Sequence, residues 1–425
     1  MNWKNRPGAV LATLLTIHLL GQIDRNMLLG FSPQITRDLA LSNAQYGFLV
    51  GAVWVLSYGV MSVLMGTLAD RFSRPRLIAV GLVIWSVCTA ASGTAHTFGE
   101  MVAARFLVAS GEAALIPAAV ALLYEVFASQ RRSAAIGLFF MGIPVGIGCS
   151  FLLAGSFGAE HGWRTTFFAL GAIGMALALP LSLLREHRDE RPQDARGEPF
   201  AAQVRAVVAL LRGNPAIVLT IAGFVLVHMV AAGLSFTQLW LVRERGFDGA
   251  GIARTIGMLQ IVFGTLGSIA GGALGDRYAR RLPGGLATFM LILVLLAAPL
   301  MIAYRLAPAG SPLFYVGMCA GFFLPLALYG PAITVIQSLT PPQMRSTITG
   351  CCMLLINVFA VAIGSFAIGS VSDALARAGV SAPLTKVLLG ADIVAIASAL
   401  FFLMAARRLC SKAPTPQGAS EAVLP

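Results

Sequence analysis

The chain has 425 residues, of which 57% are hydrophobic and 11% charged, and a mean hydropathy of +0.82. A soluble domain carries about 25% charged residues, so composition excludes one and points to a polytopic membrane protein. The net charge of +12 does not mark a nucleic-acid binder, because its Lys and Arg sit in short loops between apolar runs rather than on one soluble face.

In chain order, apolar runs long enough to cross a bilayer fall at 11–32, 44–68, 77–95, 101–127, 134–157 and 165–184, then at 215–241, 251–274, 285–304, 311–338, 347–370 and 384–405. The first run, behind Lys4 and Arg6, continues through His18, Asp24 and Arg25 without a small-residue cleavage site, and is read as a retained helix. The expected fold is an all-α membrane protein of twelve transmembrane helices in two six-helix bundles. The expected domains are 1–184, a linker 185–214, 215–406 and a short tail 407–425.

With the N-terminus inside, roughly 20 of the 30 Lys and Arg fall in the termini and the even-to-odd loops, so the positive-inside bias makes both termini cytoplasmic. Arg185 to Arg212 mixes acidic and basic residues with Pro192 and Pro199, as a solvated connector does, and a surface helix is expected over Ala201–Leu211. The excess of Arg over Lys with abundant Ala suggests a GC-rich bacterium, hence an inner membrane.

The two halves echo one another. Gly66-Thr-Leu68-Ala-Asp70-Arg71 with Arg74, after the second span, recurs as Gly272-Ala-Leu274-Gly-Asp276-Arg277 with Arg280, after the eighth. Gln130-Arg-Arg132-Ser133 with Gly137 recurs as Gln343-Met-Arg345-Ser346 with Gly350. Related halves are what a rocking transporter needs, with its site between them near the midplane.

Ionisable residues lie well inside the first and fourth spans, where a charge near the bilayer centre costs at least ~2.5 kcal/mol. Asp24 and Arg25 are in the first span, Arg105 and Glu112 in the fourth. Seven residues put Arg105 and Glu112 on one helix face roughly 10 Å apart. Asp24 and Glu112 come to about the same depth, roughly 4 Å beyond the midplane. Two acids sharing a low-dielectric cavity resist simultaneous ionisation, so Asp24 and Glu112 are the candidates for proton coupling. Arg25 and Arg105 are the candidates for a substrate anion, through a planar fork of donors. The competing reading is a permanently paired Asp-Arg-Glu cluster that only locks the first and fourth spans together.

Candidate lining residues are His18, Gln22 and Asn26 in the first span, Trp54 and Tyr58 in the second, Leu115 and Ile116 in the fourth and Phe139 in the fifth; the second half contributes His228, Gln238, Trp240 and Asn357. His18 and His228 are read equally as proton relays or as satisfied interhelical histidines. Asp392 lies in the first turns of the last span and is a lesser candidate for coupling. The six cysteines show neither metal spacing nor a disulfide framework. No phosphate loop, HExxH, G-x-S-x-G or metal-ligand cluster is present, so no enzyme, cofactor or metal is expected.

The loop Gly66-x-Leu68-Ala69-Asp70-Arg71-x-x-Arg74-x-Arg76 resembles the signature of the major facilitator superfamily, with Ser73 where Gly is usual. The resemblance covers the whole chain, and it implies that Gly66, Asp70, Arg71 and Arg74 with Gly272, Asp276, Arg277 and Arg280 form a conformational latch. Asp24-Arg25, Leu41-Ser42-x-x-Gln45-x-Gly47, Arg105 with Gly111-Glu112-Ala113, and Ile143-Pro144-Val145-Gly146 resemble the Spinster family of lipid transporters. Anion:cation symporters share Asp24-Arg25 and Gly111-Glu112-Ala113-x-x-x-Pro117. The first resemblance implies a functional monomer moving a lysophospholipid or sphingoid phosphate on the proton gradient; the second implies a small organic acid anion, such as a sugar acid or aromatic carboxylate. The partners expected are the bilayer and that substrate, with no nucleic acid; a non-transporting membrane sensor is the remote alternative.

Overall fold

The computed structural model describes residues 6–71, 73–182, 200–279 and 281–411. Among the described residues twelve helices are long and apolar enough to span a membrane: α1 Pro7–Gly30, α2 Asn43–Ser62, α3 Arg74–Gly93, α4 Phe98–Val126, α5 Ala135–Gly155, α6 Phe157–Leu179, α7 Pro215–Arg243, α8 Gly249–Ala279, α9 Leu286–Leu306, α10 Pro312–Ser338, α11 Thr347–Arg377 and α12 Pro383–Cys410. No strand occurs among the described residues. Pro7, Pro75, Pro215, Pro312 and Pro383 occupy first turns, where proline sacrifices no ladder bond and presets the helical φ. A short helical stretch from Phe157 precedes the sixth span, and Gly162, at φ 79° and ψ 165°, separates it from the helix that follows, which starts close to the expected 165.

Large apolar side chains cover the outside. Val80, Val87, Leu179, Leu296 and Leu400 are more than half exposed, which water would penalise and lipid does not. In the first half α1 packs on α5, α2 on α4 and α3 on α6; in the second, α8 and α9 pack on α10 and α7 on α12. Across the halves α2 meets α11 and α5 meets α8. Both cross-half seams are glycine contacts: a Cβ on Gly51 would stand 2.5 Å from the Val361 carbonyl oxygen, and one on Gly148 2.6 Å from that of Gly257. Small residues here replace an apolar driving force that lipid cannot supply.

The facing segments of α2 and α11 both depart from α geometry, as π-helical Phe48–Ala52 and Ile356–Gly364. The ends of α2 and α8 mark the basic face of the molecule, and the halves are closed on the opposite face. On the closed face the Asp373 carboxylate accepts from the Asn43 and Ala44 backbone N–H groups at 3.1 and 2.8 Å, capping α2 from the other half. Arg243 donates to Asn43 Oδ1 and Thr36 Oγ1 at 3.0 and 2.8 Å, and Tyr46 Oη to the Ser235 carbonyl at 2.8 Å.

A helix over Phe200–Gly213 takes the place of the expected 201–211 surface helix and packs against the start of α7. The remainder of the expected linker up to residue 199, the tail beyond 411, Arg280, and the side chains of Asp70 and Arg71 and the surroundings of Gly66 lie outside the described residues. Of the other expected latch residues, Asp276 and Arg277 are exposed at the end of α8 beside Gly272. Arg74 is buried and pairs at 2.8 Å with Glu125 at the end of α4, in its own half.

Candidate functional site

Prolines set the geometry of the polar centre. Pro117 has no N–H for the Ala113 carbonyl, and α4 breaks at Ala113–Ala114 into Phe98–Glu112 and Leu115–Val126. Glu112 therefore stands at the end of a half-helix, buried at 9% exposure. In α5, Pro144 opens the ladder around Met141, and His18 Nδ1 donates to the Phe139 carbonyl at 2.9 Å in that break. The His18 ring stacks on Phe139 at 4.4 Å and its Nε2 faces Gln22 Nε2 at 3.3 Å. His18 is thus a satisfied histidine tying α1 to α5, and Phe139, expected on the cavity wall, is its packing partner.

The four charges of α1 and α4 divide into two unlike groups. Arg105 Nη1 donates to Asp24 Oδ1 at 3.0 Å and its Nη2 to the Asp24 main-chain carbonyl at 3.1 Å. Thr89 Oγ1 donates to the other Asp24 oxygen. Asp24 is 1% and Arg105 5% exposed. Asp24 is therefore saturated by α3 and α4, and Arg105, a candidate for the substrate anion, is already committed. The locking alternative describes this pair and not the other.

Arg25 and Glu112 are organised around Trp54 instead. Trp54 Nε1 donates to Glu112 Oε2 at 2.9 Å. The Arg25 guanidinium lies 3.4 Å above the Trp54 ring, and Tyr58, one turn on, stacks on the same ring at 4.3 Å and 16°. Two stacks this close cannot share a face, so the indole is held between them. Arg25 is half-buried and makes no hydrogen bond or ion pair among the described residues, while Glu112 feels its charge. Glu112 Oε1 is buried without a partner among the described residues. A buried unpaired oxygen costs about 1–3 kcal/mol, more for a charged group. The pair thus presents a cation with free donors beside an acid with a free acceptor.

The other expected lining residues separate in the same way. Gln22, Ile116, His228 and Asn357 are half-buried; Asn26 donates to the Gln22 carbonyl at 2.7 Å, Asn357 to that of Met353 at 2.9 Å and His228 to that of Phe224 at 2.7 Å. Leu115, Gln238 and Trp240 are packed in protein at 3% exposure or less, because Trp240 bonds Thr385 and Gln238 bonds the Gly249 carbonyl near the closed face. Asp392 pairs with Arg305 at 2.7 Å in the same region. Thr89 was missed, although Ser86, Thr89 and Ser92 form a readable polar stripe at three-residue spacing in α3. Among the described residues no cluster of His, Cys, Asp or Glu could hold a metal ion.

A family model described as Major Facilitator Superfamily matches residues 14–365. An MFS-type efflux pump of Mycolicibacterium smegmatis is 28% identical over 371 residues, covering 87% of this chain and 85% of the pump. Protein spinster of Drosophila melanogaster is 26% identical over 377 residues, 86% of this chain and 62% of the fly protein. The hexuronate transporter of Escherichia coli is 27% identical over 380 residues, 84% and 86% of the two chains. A crystal structure of a bacterial homolog to human lysosomal transporter Spinster, inward-facing and unoccupied, superposes with a TM-score of 0.81 at 23% identity over 96% of this chain and 99% of that one; at that identity it shows the fold.

Proposed function

The chain belongs to the Major Facilitator Superfamily, and on that premise we propose that it is a proton-coupled secondary transporter of an anionic amphiphile, a lysophospholipid or sphingoid phosphate, working by alternating access. The observation that carries this reading is Arg25 held on Trp54 with its donors free, beside the unpartnered oxygen of Glu112. A guanidinium stacked on an indole presents a planar fork to a carboxylate or phosphate. Protonation of Glu112 removes the negative charge nearest that fork, so proton and anion favour one another's binding. Asp24, Arg105 and Thr89 take no part in the titration on this reading; they hold α1, α3 and α4 in register around the site. The latch of the family resemblance, from Gly66 to Arg74 and from Gly272 to Arg280, works on the basic face, which the distribution of Lys and Arg assigns to the cytoplasm. Both termini then lie on the cytoplasmic side of a bacterial inner membrane, and the unit of function is the monomer.

A second reading, a small organic acid anion in place of the amphiphile, is favoured by the hexuronate transporter among the relatives. Uptake into proteoliposomes with an imposed pH gradient separates them: lysophosphatidylglycerol accumulates and glucuronate does not if the amphiphile is the substrate, and the reverse if the acid is. Accumulation of neither, with or without the gradient, contradicts proton-coupled transport of either class.

A further inference from the structure

On the basic face a trough of about 430 Å³ opens between the helix Phe200–Gly213, the start of α7 and the end of α12. Leu211, Pro215, Val218, Leu219 and Met404 form its apolar wall, and Arg407 and Arg408 are its charged residues. Both arginines are exposed, and neither guanidinium has an ion pair or hydrogen bond among the described residues. Two cations in a last turn complement the helix dipole by themselves, but that role needs no apolar trough beside them. The apolar surface also continues toward the bilayer interior, where Met404 is 41%, Val218 43% and Leu400 62% exposed. Leu400 lies seven residues before Arg407, roughly 10 Å deeper along α12.

This combination selects its occupant. A soluble anion satisfies the arginines and leaves the trough empty. The acidic linker residues Glu186, Asp189, Glu190, Asp194 and Glu198 also match the charge, yet between Arg185 and Pro199 the chain offers only Pro192, Ala195 and Pro199 to fill an apolar wall of five side chains. An acidic membrane lipid satisfies both parts, its phosphodiester on the arginines and its upper acyl chain along Met404 and Val218. We propose that this trough binds an anionic phospholipid of the phosphatidylglycerol class. The site is independent of the transport site, and the proposal stands whether or not the reading of Arg25 and Glu112 holds.

The test is binding of fluorescently labelled phosphatidylglycerol to the purified full chain in neutral detergent, competed by unlabelled phosphatidylglycerol, phosphatidylcholine and inorganic phosphate. Phosphatidylglycerol should compete at least tenfold better than either other competitor. Arg407→Gln with Arg408→Gln should weaken it roughly tenfold or more, two surface charges being removed. Met404→Trp should weaken it with both arginines in place, by filling the trough, so the result does not depend on one variant's folding. Equal competition by phosphatidylcholine or by phosphate, or unchanged affinity in both variants, would overturn the assignment.

Discussion

Trp54 joins α2 to the break in α4 by donating Nε1–H to Glu112 Oε2 at 2.9 Å, and the same ring carries the Arg25 guanidinium. One residue therefore touches both the acid and the cation of the site, through different parts of its side chain. Trp54→Phe keeps an aromatic face for Arg25 and removes the donor to Glu112. Substrate affinity should stay within about threefold while the pH profile of transport is displaced, a hydrogen bond to a charged group contributing about 1.5–3 kcal/mol. Trp54→Ala should displace the profile and also weaken the substrate roughly tenfold. Initial rates across a pH series check both.

Arg25→Lys preserves charge but loses the planar fork and much of the stacking. The expected outcome is a KM for an anionic substrate raised roughly tenfold or more, with a smaller change in kcat. Arg105→Lys acts as the contrast: its donors belong to Asp24, so it should lower thermal stability rather than raise KM.

The Asp24–Arg105 pair is fully inside protein. Removing one partner leaves an uncompensated buried charge and costs about 3–5 kcal/mol, whereas removing both avoids that penalty. Asp24→Asn and Arg105→Gln should each lower the melting temperature sharply, and the double variant should recover at least half the loss. A double-mutant cycle by thermal unfolding in detergent measures it.

Closure opposite the basic face depends on backbone approach. A Cβ at Gly47 would stand 2.2 Å from the Ser365 carbonyl oxygen and one at Gly51 2.5 Å from that of Val361. Gly51→Ala should disfavour the closed seam, and Asp373→Ala should do so by uncapping α2. Spin labels at the exposed Arg37 and Arg377 would report this as a growing population of longer distances. An unchanged distribution would mean that the seam yields without cost.

The twelve spans were legible because hydropathy over about 20 residues reports directly on bilayer thickness; the break in α4 was not expected, although Pro117 stands where a carbonyl partner must be lost. The membership of each charge pair was not legible. Depth along a helix put Asp24 and Glu112 level, but which arginine each acid meets depends on the rotation of α1 against α4 and on Thr89 from α3. Helical periodicity within one span does not encode either. Trp240 and Gln238 were misplaced for a related reason: polar atoms in a span mark protein-facing positions, and their partners Thr385 and Gly249 lie in other helices.

The most direct test compares Glu112→Gln with Asp24→Asn in proteoliposomes, measuring substrate KM from acid to alkaline pH in each. In the native protein, KM should fall as pH falls, because neutral Glu112 no longer repels the anion at Arg25. Glu112→Gln should give a low, pH-independent KM and lose accumulation driven by a proton gradient, while Asp24→Asn, where it folds, keeps the slope. A pH slope that survives Glu112→Gln and disappears with Asp24→Asn would contradict the division of labour between the two acids.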